Sequence, residues 1–339
     1  VPNDLINGVA VKIMKENPLS VVQVDANQQK SSSQGGLNSR LVEAEAKYER
    51  LWHLKPERLD PGRSAIGSDR VKHTISIVEQ LFDMKDLSIL DIGCGTGALA
   101  IAFAKEGSRV TAADIASNAL KLVSEHPNIT KVQAALPKTP FSDDEFDVCI
   151  AAEVIAEMDH RDYRLAMAEL CRLIKPDGRV ICSNSIDIYS EDAFIRFRKL
   201  AETEFKILHW KFSYHALYLH ILHFLKAPSK FFKAWRHPDK RDKGLKHRRG
   251  LSRWWFKINS TLVPALIWAP ISWILSPAVY TFEKSELILH FFEKICRFFL
   301  SERGISHVIF VGKRRPLLEE RDEPPIPDRP PFKREVRWE

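Results

Sequence analysis

The hydrophobic and polar positions of this chain change period most sharply about a quarter of the way along it. An apolar run at 87–92 gives way to glycine at every second position, Gly93, Gly95 and Gly97. Ala98, Leu99, Ile101, Ala102 and Phe103 then recur with helical spacing. This succession predicts a strand, a tight turn and a helix N-terminus. Glycine lets a backbone approach a ligand closely, and the first helical N–H groups have no partner within the helix. A nucleotide-like ligand is expected on the turn. Downstream, strands are predicted at 109–113, near 131–134, and at 146–151, 179–183 and 205–212, with helices at 97–105, 117–124, 162–174 and 191–201. Such alternation implies an α/β fold, with a parallel sheet covered by helices on both faces. Upstream, Val71, Ile75, Val78 and Leu81 or Phe82 share one face of a helix at 69–82 that Ser68 can cap. A helix at 41–52 ends in Tyr48, Leu51 and Trp52. Residues 1–39, with a Ser/Gln/Gly cluster at 28–36, read as a flexible lead-in holding one short ordered piece near 9–14.

The turn alone leaves two cofactors open. Gly93-x-Gly95-x-x-Ala98 satisfies the loose dinucleotide fingerprint, and Asp114 lies near the distance of its ribose-binding acid. The wider text narrows this. Ile89-Leu90-Asp91-Ile92-Gly93-Cys94-Gly95-Thr96-Gly97 is followed by Pro140-Phe141-x4-Phe146-Asp147 and by Ala168-Glu169-Leu170-x-Arg172-Leu173-Ile174-Lys175-Pro176-x-Gly178-Arg179. In that order these resemble the class I S-adenosylmethionine (SAM) methyltransferases of type 11, especially the ubiquinone and menaquinone biosynthesis enzymes, over residues 85–185.

The resemblance implies a Rossmann-like, doubly wound, seven-stranded sheet whose final hairpin is antiparallel, with 307–311 as the return strand. It also implies N-terminal helices at 40–84 capping the cofactor, a core at 85–213 and SAM as cofactor. The backbone of Gly93, Cys94, Gly95 and Gly97 would lie against the homocysteine part, with Asp91 helping to hold its amino acid end. Asp114, at the end of the second strand, would accept both ribose hydroxyls, since a carboxylate has two oxygens to match a diol. Its bland alternative is a helix cap. Ile115 would touch the adenine, with Ala135 and Leu136 beside it. The family usually has an acid at about Ala135 to receive the adenine amino group. Alanine cannot, so backbone groups or Gln133 must do so. Glu153 matches the first acid of a Glu-x-x-(Glu)-His turn that faces both SAM and substrate. Glu157 takes the usual histidine position, and His160 follows three residues on. His160 is a candidate general base beside Glu153, because imidazole titrates near neutrality; an exposed helix-start histidine is the plain alternative. Glu153, Glu157, Asp159 and His160 also form a chemically reasonable Mg²⁺ set, although no metal is expected.

Composition adds a location for the charge. Of 339 residues 45% are hydrophobic, enough for a sizeable core, and the formal net charge is +7. Twelve Lys/Arg against two Asp fall between Lys226 and Lys257, so the remainder of the chain is net acidic. The five cysteines (94, 149, 171, 182, 296) form no CxxC pair, and no basic-then-apolar leader opens the sequence. A reduced, cytoplasmic setting is expected.

Residues 214–304 interrupt the final hairpin as a mostly helical, hydrophobic and basic insertion, before a last core strand at 305–315 and a disordered tail at 316–339. His215, His220 and His223 lie in a stretch without cysteine or carboxylate, which argues against zinc. Residues 258–282 are free of Asp, Glu, Lys and Arg and long enough to span a bilayer. A single crossing, however, would leave the return strand on the wrong side, and the charges of 286–300 do not suit a second one. Prolines at 264, 270 and 277 favour a bent, shallow segment. The expected partners are a lipophilic small molecule and, through 226–300, an anionic membrane surface; nucleic acid would leave the apolar stretch unexplained. The function expected is methyl transfer to a quinone precursor or lipid, on oxygen before carbon, by a cytoplasmic protein peripheral to the membrane. The alternative is a weakly active or non-catalytic SAM-fold protein that binds membrane or RNA through its basic insertion.

Overall fold

The computed structural model describes residues 18–315 apart from 191, 247 and 249. In chain order, α1 (Pro18–Leu54) is followed by two 3-10 turns (Pro56–Arg58 and Pro61–Arg63), α2 (Ala65–Leu81), β1 (Ser88–Ile92), α3 (Ala98–Lys105), β2 (Arg109–Asp114), α4 (Ser117–Leu120) and β3 (Ile129–Gln133). Next come β4 (Phe146–Ala152), α5 (Val154–Glu157), α6 (Tyr163–Leu173), β5 (Ile174–Ser185), α7 (Ala193–Glu204) and β6 (Phe205–Ser213). Helices α8 (Ala216–Leu225), α9 (Ala227–Arg236), α10 (Pro238–Lys246), α11 (Gly250–Asn259), α12 (Leu262–Lys284) and α13 (Glu286–Leu300) then precede β7 (His307–Arg314).

The strands form one seven-stranded sheet in the order β3-β2-β1-β4-β5-β7-β6. β1 to β5 run parallel, and β7 is antiparallel to both β5 and β6. The order reverses between β1 and β4, where open α/β sheets place their ligands. β1 shows why Ile89, Leu90 and Ile92 are all apolar although they alternate between two faces: Leu90 and Ile92 enter the layer of Met167, Leu170 and Phe197, while Ile89 enters that of Val78, Leu99 and Phe103. A central parallel strand buries both faces.

Several boundaries differ from the sequence expectation. α1 begins at Pro18, so 18–39 is helix and not a flexible lead-in. No proline interrupts the chain between Pro18 and Pro56, and the helix carries Gly35 and Gly36 within it. The piece expected near 9–14 and the tail at 316–339 lie outside the described residues. α2 starts at Ala65, capped by Ser64, whose Oγ accepts the Gly67 N–H at 3.1 Å; Ser68 lies inside the helix. β5 begins at Ile174, which pairs with Phe146 before an irregularity that brings Arg179 opposite Val148. α4 closes at Leu120, and the following turn seats Val123 against Gly97. The insertion's prolines do not break α12. Pro264 sits in the first turn, where an N–H has no helical partner to lose, and Pro270 and Pro277 are carried inside the helix.

Candidate active site

The carboxyl ends of β1, β2 and β4 open into a cavity of about 500 Å³, roofed by α1 and walled on one side by α2. The turn beneath it holds three left-handed glycines: Gly93 (φ 73°), Gly95 (φ 54°) and Gly97 (φ 75°). A Cβ on Gly93 would stand 2.3 Å from Val154 Cγ2, so the turn has no room for a side chain. The N–H groups of Gly93 and Cys94 both bond Ala113 O, at 2.7 and 3.0 Å, which ties the turn to β2. Gly93, Cys94 and Gly95 line the cavity; Gly97 does not. Gly97 instead shapes the turn, since a Cβ there would meet Val123 Cγ1 at 2.7 Å. The ligand contact expected of it is therefore withdrawn.

Asp91 is 1% exposed, and its Oδ2 is buried with no hydrogen-bond partner. Burial, reinforced by the neighbouring Asp114, pushes its carboxyl up to about 7. An unpaired buried carboxylate is costly. A ligand ammonium would satisfy it, and the amino acid end of SAM carries one. Asp114 accepts the Gly95 N–H at Oδ2 (3.0 Å) and the Ala116 N–H at Oδ1 (2.9 Å), which leaves each oxygen a further lone pair. Burial raises its pKa, opposed by these two bonds. The site therefore fits SAM on the cradle, the orphaned acceptor and the diol-matching carboxylate. Ile115, Ala135 and Leu136 also line the cavity. Gln133 does not line the cavity; its Nε2 donates to Ile115 O and to Glu45 Oε1, both at 3.0 Å.

Glu153 forms the opposite wall, in the left-handed region at φ 64°, where a non-glycine residue is uncommon. His307 Nε2 lies 2.7 Å from its Oε1, Ser185 Oγ donates to its Oε2, and Arg70 Nη1 stands 3.7 Å from Oε2. Burial opposes its charge, but the hydrogen bond and charge of His307, then Arg70 and Ser185, hold its carboxyl down to about 2. His160 is not part of this group. Its side chain is 82% exposed, 3.6 Å from Asp159, and it does not line the cavity, so it is not placed to take a proton from anything held there. His307, Arg70 and Ser185 were missed. His307 lies opposite Ser185 in the β5–β7 register, so aligning the final hairpin would have found it. Among the described residues no three His, Cys, Asp or Glu side chains are placed to hold a metal ion.

Besides the Gln133–Glu45 bond, polar contacts of Arg40, Tyr48 and Glu49 hold α1 over the cavity. The Arg40 guanidinium meets Asp162 at 2.5 and 2.8 Å, the Tyr48 hydroxyl donates to Glu157 at 2.7 Å, and Glu49 accepts the N–H groups of Ser117 and Asn118. α2 has two working faces. Arg70, Val71 and Thr74 line the cavity, while Asp69 turns to the insertion, 3.1 Å from His290, with His73 3.2 Å away. Burial opposes the charge of Asp69, but those two histidines hold it down to about 2.

Fold, glycine cradle and paired carboxylates together have the arrangement of the class I SAM-dependent methyltransferase fold. Residues 89–178 match the family described as a methyltransferase domain. Among its relatives are a SAM-dependent Diels-Alderase of Neonectria sp. (39% identical; 27% of this chain, 36% of that one), a demethylmenaquinone methyltransferase of Chlorobaculum tepidum (27%; 48% and 62%) and a ubiquinone biosynthesis O-methyltransferase of Paracidovorax citrulli (32%; 31% and 47%). The chain thus spans less than two thirds of each relative's length. Among solved structures, a [4+2]-cyclase, SpnF, superposes with a TM-score of 0.42 at 15% identity, covering 75% of this chain and 84% of that one.

Proposed function

We propose that this protein transfers a methyl group from SAM to a lipophilic small molecule, a quinone precursor or lipid, at the cytoplasmic face of a membrane, with a hydroxyl oxygen preferred over carbon as acceptor. The observation that carries the methyl-donor half is the buried, partnerless Asp91 Oδ2 beside Asp114 in a glycine cradle. When bound, SAM supplies an electrophilic methyl on a sulfonium. Asp91 would hold its ammonium and Asp114 its ribose diol, with Ile115, Ala135 and Leu136 against the purine. The acceptor half of the reading rests on contrast within the cavity. Leu41, Trp52, Val71, Val154 and Met158 make most of the wall apolar, while Glu153 and Arg70 stand together on one side. Glu153 would accept the acceptor's O–H, and His307 would steady the carboxylate. Orientation of this kind supplies much of the rate in a direct displacement. Relatives named for demethylmenaquinone and ubiquinone chemistry support a quinone-like acceptor. The relative named as a Diels-Alderase keeps a second reading open, a SAM fold without methyl transfer.

Calorimetry with SAM and S-adenosylhomocysteine tests the donor half. Both should bind the wild type and be lost by Asp114→Ala. No detectable binding to the wild type would end the enzyme reading.

A further inference from the structure

The insertion exposes what a water-facing surface hides. Along α12, Val263, Leu266, Ile267, Trp273, Ile274 and Tyr280 are 57–79% exposed, and their spacing puts them on one face. At 23 residues the helix is about 34 Å long, enough to cross a bilayer. Its other face is occupied. The Trp268 ring lies 5.6 Å from that of Phe231 and its Nε1–H donates to Asn259 at 2.9 Å. Near the far end, Phe282 stacks on Tyr218 at 4.7 Å, and the Tyr218 hydroxyl donates to Phe282 O at 2.8 Å. α12 is therefore held at Trp268 and Phe282 to α8, α9 and α11, and crossing would break these contacts. β7 lies between β5 and β6, so the chain must also return to the side it left.

The neighbouring helices also expose large apolar side chains. On α13, Leu287, Phe291 and Phe298 are 84%, 59% and 82% exposed at helical spacing, and on α11 Leu251 and Trp254 are 84% and 59% exposed. Lys233, Arg236, Arg253 and Lys257 are exposed on α9 and α11, helices that contain no acidic residue.

We infer that the outer face of α11, α12 and α13 docks flat on an anionic bilayer, with its apolar stripe at the boundary between headgroups and acyl chains and without spanning. Indole rings favour that boundary, and lysine and arginine beside it meet anionic headgroups. Charge selects the lipid surface over a second copy of the chain, because a symmetric pair would bring the same cations face to face. The docked face is mechanically joined to the cavity through α2, by Lys72 to Glu286 at 2.6 Å and by Asp69 to His290. That the acceptor arrives from the bilayer rests on the proposed methyl transfer; the docking face does not.

The test uses the full chain in vesicle flotation, with phosphatidylcholine alone and with about one third phosphatidylglycerol. The wild type should float with the anionic vesicles and be released by alkaline carbonate. Trp273→Asp with Ile274→Asp should cut recovery by about tenfold or more, and Lys233→Glu with Arg236→Glu should remove the preference for anionic lipid. SAM calorimetry on each variant, expected to match the wild type, shows that the core stays folded. Equal recovery of wild type and variants, absence of flotation, resistance to carbonate, or a concentration-dependent dimer lost in the Trp273 and Ile274 variant would each overturn the proposal. Flotation without SAM binding would end the methyltransferase reading and leave the docking face standing; SAM binding without flotation would do the reverse.

Discussion

The sheet around the cavity and the helical insertion are both rich in apolar side chains and dispose of them in opposite ways. On β1, Ile89, Leu90 and Ile92 are at most 1% exposed, whereas on α12 Trp273 and Ile274 are 79% and 68% exposed. Apolar content by itself thus says little about burial. In the first region the pattern answers to closure of the fold; in the second, under the proposed docking, it answers to a surface outside the molecule. Consequences of substitution should divide along the same line.

The largest effect is expected in the cavity. Asp114→Ala removes a charged acceptor and loosens Gly95, and should weaken SAM binding by about 100-fold or more in calorimetry. Trp273→Asp should leave that affinity unchanged, and a comparable loss in both would break the division. Asp91 adds a pH signature. With its carboxyl raised to about 7, the empty site holds it protonated below that pH, while the SAM ammonium favours the ionised form. Affinity should therefore fall as pH drops below about 7, by up to tenfold per unit, with proton release on binding. A flat affinity between pH 5 and 8 would remove Asp91 from the site. In the absence of ligand the same shift has the opposite sign for stability, which should decline as pH rises from the ordinary aspartate range toward 7.

Smaller effects concern stability. Gly93→Ala meets Val154 at a positive φ and should cost about 1–3 kcal/mol in thermal unfolding, against about 0.5 kcal/mol or less for Trp273→Ala. Equal costs would mean that α12 is part of the fold's own core. Finally, Glu153 and Asp69, on opposite sides of α2, are both held down to about 2 by histidine contacts. Each supports the fold above its ordinary carboxylate range, and that support is lost as pH falls toward 2. His307→Gln and His290→Gln should therefore each move the acid limb of unfolding to higher pH. The His307 variant alone should also slow methyl transfer.

The core was legible because its signals are local. Strand, glycine turn and helix follow one another at 87–105, and the later motifs come in the expected order. Asp91 and Asp114 could be placed because each sits at or near the end of a strand whose register is set by its neighbour. The acceptor side was not legible from local text. Glu153 meets His307 across 154 residues, with the whole insertion between them, and only the β5–β7 register brings Ser185 opposite His307. His160 was attractive because it follows the acidic turn closely, yet the 3-10 turn at His160–Asp162 leaves it in solvent. Proline in α12 suggested a bent segment, whereas the helix runs unbroken from Leu262 to Lys284, because propensity carries no information about the aromatic contacts that hold it. The absent acid at Ala135 stood in the sequence, and Gln133, whose Nε2 is bonded to Ile115 and Glu45, does not line the cavity.

The most direct measurement is methyl transfer itself. The protein is incubated with methyl-labelled SAM and a membrane lipid extract, and the organic phase is followed by mass spectrometry. The account predicts one labelled lipophilic species that carries the methyl on oxygen, falls strongly with Glu153→Gln and disappears with Asp114→Ala. Bound SAM whose label never enters the organic phase, or label that enters it equally with both variants, would contradict it.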